Sequence, residues 1–202
     1  MNKIIRVCLW ICILGAASKA HAGHGFMNSF ADVEWLPEPG RTPDQFGYRI
    51  DNWREQAELA FEADAQERFA LSLEFAREKL AEIDAMVVAT QPEAARTALT
   101  QYVRSLDSAE EALHAHTDDR RADIHLRYAK ALLEHQYILS VNYLDLPRTS
   151  RPVVLEAMKT AGQRYAPIAA QLEAKVKESL FFKEEEVRWS TELAEQADIQ
   201  GL

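Results

Sequence analysis

Cysteine is confined to positions 8 and 12, glycine is scarce at 7 of 202 residues, and no stretch alternates apolar with polar residues as a half-buried strand would. Beyond Cys12 the chain therefore offers no disulfide, no thiolate nucleophile and no cysteine-ligated zinc or iron-sulfur site. The glycine-built motifs are missing too: there is neither a Gly-x-Ser-x-Gly elbow nor a phosphate-cradling loop, and no His-Glu-x-x-His pair occurs. Basic residues are outnumbered, with 23 Lys and Arg against 32 Asp and Glu for a net charge of −9. A chain so charged is repelled by nucleic-acid phosphates and anionic lipid head groups, which excludes nucleic acid as a partner and favours basic proteins or metal cations.

The N-terminus carries Lys3 and Arg6 ahead of an apolar run from Val7 to Ala17, followed by Ala20-His21-Ala22. A charged start, a short apolar core and a small-residue peptidase site predict a cleavable signal peptide over residues 1–22 and a periplasmic or secreted product beginning at Gly23. The apolar run is about half the roughly 20 residues a bilayer span requires, so no stable membrane span is expected once the signal is gone. Cys8 and Cys12 leave with it. Trp10 and Ile11 before Cys12 also disfavour lipid attachment, which wants small residues there.

Residues 23–41, rich in Gly and Pro, read as a flexible arm, and residues 42–202 as a helical domain. Thr42-Pro43-Asp44-Gln45 is a capping box that predicts a first helix with Phe46, Ile50, Trp53, Ala57 and Ala60 on its inward face. Asp64 to Glu67 opens a second, with Phe69, Leu73, Ala76, Leu80, Ile83 and Val87 inward. Thr90 to Glu93 opens a third, with Ala95, Leu99, Tyr102, Leu106, Ala109 and Leu113. Thr117-Asp118-Asp119 caps a fourth that carries Ile124, Tyr128, Ala131, His135 and Ile138. Ser150 and Pro152 begin the last region, where Pro167 should kink a long C-terminal helix. The expected fold is all-α: an up-and-down helical bundle or stacked helical hairpins of about five helices, with a coiled-coil homo-oligomer as the alternative.

The segment from Leu36 to Ile83 resembles a family of domains of unknown function found on secreted or membrane-tethered proteins of bacteria and archaea. That family's pattern is Leu-Pro-Gly, a Tyr with a Glu seven residues on, Leu-Ala-Leu, an Asp-Pro-Glu-like turn and a helix of the form Leu-x-Leu-Glu-x-Ala-x-x-Arg-Leu-x-Glu. Leu36-Pro37 with Gly40, then Tyr48, Glu55, Leu59-Ala60-Phe61, Asp64, Leu71, Leu73-Glu74, Ala76, Leu80 and Glu82 follow it here. Asp51 departs from a usual basic residue, and Lys79 stands for the Arg. The resemblance implies an extracytoplasmic helical module and carries no activity or catalytic residues.

Metal-donor residues crowd the junction of the third and fourth helices. Glu111, His114, His116, Asp118, Asp119 and His125 have the side chains that suit a divalent transition metal, and Glu111 with His114 has the Glu-x-x-His form of di-iron bundles. The facing motif such a centre needs is missing, so an exposed charged turn is the simpler reading, and no cofactor is required. His24 is a further copper candidate, because cleavage after Ala22 would leave a free amine with histidine in second position. His135 reads as a hydrogen-bonded core residue. Phe181, Phe182 and Trp189 read as aromatics that close a bundle end, or else as a patch for a partner. The function expected from all this is an exported helical binding or scaffold protein with a protein partner, a basic one by charge. A periplasmic metal-binding or metal-sensing bundle is the alternative, and a cofactor-free enzyme stands third.

Overall fold

The computed structural model describes residues 29–115 and 120–200. The chain divides into two compact units, residues 1–31 and 32–202. Only Ser29–Ala31 of the first are described, so the expected signal peptide and residues 23–28 of the arm lie outside the described residues. Among the described residues of the second unit every regular element is helical: α1 (Tyr48–Phe61), α2 (Ala65–Val88), α3 (Pro92–His114), α4 (Arg121–Val141), a 3-10 turn (Tyr143–Asp145), α5 (Arg151–Gln171) and α6 (Ala174–Gln200). Among the described residues no helix is long and apolar enough to cross a membrane. The all-α expectation holds, with six helices among the described residues rather than about five.

Local chemistry explains most of the boundaries. Asp64 caps α2 as expected, its carboxylate accepting the Gln66 backbone N–H at 2.7 Å. The box at Thr42, by contrast, makes only an isolated turn, closed by the Gln45 N–H on the Thr42 carbonyl. Helix α1 starts later because Gly47 adopts φ 95°, a left-handed conformation open to glycine, and the Arg41 guanidinium lies 3.0 Å from where a Cβ would stand. At Thr90 the expected box does not form either. Thr90 is itself left-handed, at φ 59°, and Gln91 precedes Pro92 without a side-chain cap. The Thr117-Asp118-Asp119 cap lies outside the described residues. Pro167 falls inside α5, and the break from helix comes just beyond it, at Leu172 and Glu173.

Successive helices run antiparallel, as short connections dictate. Tyr102 pairs with His135, and Glu110 with Tyr128, so rising numbers on α3 meet falling numbers on α4. Tyr165 with Glu184 and Lys159 with Glu195 show the same reversal between α5 and α6. Two guanidinium bonds from Arg151 to the carbonyls of Leu144 and Leu146 fix the turn between α4 and α5. The core lies where α2, α3, α4 and α5 meet, and Leu80, Ile83, Leu106, Leu132 and Met158 are fully enclosed there. Burying a side chain of that size contributes about 1.5–3 kcal/mol. Helix α1 lies outside this core, against α2.

Candidate functional site

Helix α1 is built the reverse of the sequence expectation. Tyr48, Asn52, Glu55 and Leu59, spaced four and three apart, form its inward face, and Tyr48 and Asn52 are buried. The apolar stripe points the other way: Phe46 just before the helix, Ile50 and Trp53 are 99%, 63% and 71% exposed, and Phe61 at the end is exposed too. The cause is the surface α1 meets. Over Lys79–Ile83 every residue of α2 is buried, which brings a lysine and a glutamate into the α1 contact. An apolar face there would leave two of the Lys79 protons and one Glu82 oxygen buried without partners, at a cost of several kcal/mol.

A polar clasp results. Lys79 Nζ donates to Glu82 Oε1 at 2.8 Å, to Glu55 Oε1 at 2.9 Å and to Asn52 Oδ1 at 3.0 Å, which uses all three of its protons. The Tyr48 hydroxyl donates to Glu82 Oε2 at 3.0 Å. Burial alone would depress the Lys79 ammonium, but its bonds to Glu82 and Glu55 outweigh that and hold its pKa above the ordinary lysine value. Burial raises the Glu82 carboxyl, an effect that Lys79 offsets only in part. Burial, then the Glu82 and Glu55 charges, likewise push the Tyr48 phenol up, so it stays a donor. Open hollows of about 340 Å³ beside Leu59 and Phe75 and about 550 Å³ beside Phe46 and Thr97 flank α1, so the clasp rather than close packing holds the helix down.

A second apolar feature lies on the α4 and α6 side. Val141, Leu144, Trp189 and Leu193 wall a groove of about 430 Å³, and Trp189 is 66% exposed. The charged residues that line this groove, Asp145 and Glu186, are both acidic. The Tyr143 hydroxyl is buried at its wall without a hydrogen-bond partner among the described residues. Phe181 and Phe182, in edge-to-face contact at 5.5 Å, are likewise exposed. The expectation that these aromatics and Trp189 close a bundle end is therefore not met, since all three side chains are exposed.

The metal-donor residues come together only in part. Glu111 and His114 are exposed on the last turns of α3, while His125 is buried in the second turn of α4 with Nε2 unpartnered among the described residues. Burial, then the charges of Arg121 and His114, lowers the His125 pKa. His116, Asp118 and Asp119, like His24, lie outside the described residues. Among the described residues no group of three or more His, Cys, Asp or Glu side chains is placed to hold a metal. His135 is a core residue as expected. Its Nδ1 lies 3.0 Å from the Tyr102 hydroxyl, and burial pushes its pKa down to about 3.

Sequence reasoning missed the clasp as a unit, although it had quoted three of its members, Tyr48, Glu55 and Glu82, as part of the family pattern and Lys79 as a departure from it. The available signal was Lys79 and Glu82 set among Ala76, Leu80 and Ile83 on the most apolar helix. Residues 40–144, about half of the chain, match a family described as a domain of unknown function, DUF5667. The match spans α1 to α4 and stops before α5. No curated protein and no solved structure matches the chain.

Proposed function

That the chain belongs to the family of DUF5667 domains of unknown function is the premise from which we propose that it is an exported helical binding protein. It holds another macromolecule on the outward apolar stripe of α1. The inverted helix carries this reading. A helix that spends its polar face on a buried clasp and leaves Ile50, Trp53 and Phe61 in water forgoes apolar burial at about 25 cal/mol per Å², which a partner recovers. Lys3, Arg6 and the apolar run behind them support export, as does the peptidase site at Ala22.

A photo-crosslinking side chain at Ile50, compared with one at the exposed Lys175 at the start of α6, tests the binding surface in the native envelope fraction. The expected result is an adduct at position 50 that disappears with Trp53→Glu while the melting temperature stays the same. Equal labelling from both positions would remove the stripe as a binding surface. Intact mass of the native protein tests export, with the processed chain expected to begin at Gly23.

A further inference from the structure

We propose that the partner of the α1 stripe is a second copy of this chain, received in the groove between α4 and α6. This rests on the binding role just given to the stripe and names its occupant. The two features match in chemistry. On α1 the apolar stripe is flanked on one side by Arg49 and on the other by Arg54, with Glu58 one turn beyond it, all three exposed. The groove is apolar in its walls and acidic at Asp145 and Glu186. They also match in length. Ile50 to Ala57 spans about two helical turns, roughly 10 Å, as do the groove walls from Tyr137 to Leu144 and from Glu186 to Leu193.

Two grooves set face to face bring Asp145 and Glu186 against their own kind. Two α1 stripes set face to face would leave the groove uncovered and stop at a dimer, whereas stripe into groove covers both apolar surfaces and sets Arg49 and Arg54 against the acidic groove. Because α1 packs on α2 and lines no part of its own α4–α6 groove, the contact joins the stripe of one copy to the groove of the next. Such a contact is head-to-tail and continues until a ring closes.

Sedimentation of the full processed protein across a concentration series is the test, with Trp53→Glu to disable the stripe and Leu193→Arg to disable the groove. Both positions are exposed, and Val141→Arg on the opposite wall replaces Leu193→Arg if that variant melts early. The wild type is expected to grow beyond a dimer as concentration rises, and less so in high salt. Each variant alone should remain a monomer, and the equimolar mixture should form a dimer and stop there, since it retains one working stripe and one working groove. A wild type that is monomeric throughout overturns the proposal, as does a Leu193→Arg variant that associates like the wild type or a mixture that stays monomeric. If the wild type is monomeric and the Ile50 crosslink still captures another protein, self-association fails while the binding role of α1 stands.

Discussion

Helix α3 buries all six members of its apolar stripe, from Ala95 to Leu113, against its neighbours, whereas α1 turns Ile50 and Trp53 into solvent and lays Tyr48, Asn52 and Glu55 on α2. The two stripes are equally regular in the sequence. What separates them is the surface each helix meets: α3 packs on α2, where Leu80 and Ile83 are fully enclosed, while α1 faces the charged side chains of Lys79 and Glu82. Periodicity locates a stripe on a helix, and the neighbouring element decides which way the stripe turns.

Lys79→Ala should break this difference most severely. It leaves the buried Glu82 and the partly buried Glu55 without their cation, and a loss of about 3–5 kcal/mol is expected in denaturant unfolding. Adding Glu55→Gln and Glu82→Gln to the same variant should recover part of that loss, because the uncompensated charges go with them. On the apolar side, Leu80→Ala and Leu106→Ala should each cost about 2–5 kcal/mol through the cavities they open. A thermal melt of either that matches wild type would show that the stripe is not core.

His135 supplies a smaller effect that depends on pH. Its folded pKa of about 3 lies below the unfolded value of about 6.5, so the unfolded chain takes up the proton first. Stability should be unaffected by this group above about pH 6.5 and fall as pH drops from there toward 3. His135→Gln should flatten that part of the slope of melting temperature against pH, and an unchanged slope would show that His135 does not set it. Least of all, Trp53→Ala on the exposed stripe should shift stability by no more than about 0.5 kcal/mol, and Thr97→Ala by a similarly small amount. A large loss with Trp53→Ala would mean that α1 packs through its apolar face after all.

The contrast also shows what was legible in advance. The stripes of α2, α3 and α4 could be read residue by residue because each spans several turns and meets an apolar neighbour, and the Asp64 cap followed from local chemistry alone. The start of α1 escaped because Gly47 overrides the capping box at Thr42. The clasp escaped because its halves lie in different helices: Tyr48, Asn52 and Glu55 gain meaning only when Lys79 and Glu82 arrive from 24 to 34 positions away. The α4–α6 groove could not be read at all, since Val141 and Leu193 are brought together by the reversal at Leu172, where the sequence suggested one continuous helix.

The hollows on either side of α1 bear on how the molecule opens. A helix held by one lysine and its acceptors, with water able to enter beside it, can detach without disturbing the four-helix core. It should therefore form a cooperative unit of its own at the low end of the stability range. Amide protons of α1 should exchange with solvent well before those of α2, α3 and α4, through an opening that leaves the core closed, and binding at the stripe should slow them selectively. Uniform protection from α1 through α4 would show instead that the clasp locks α1 into the global unfolding event.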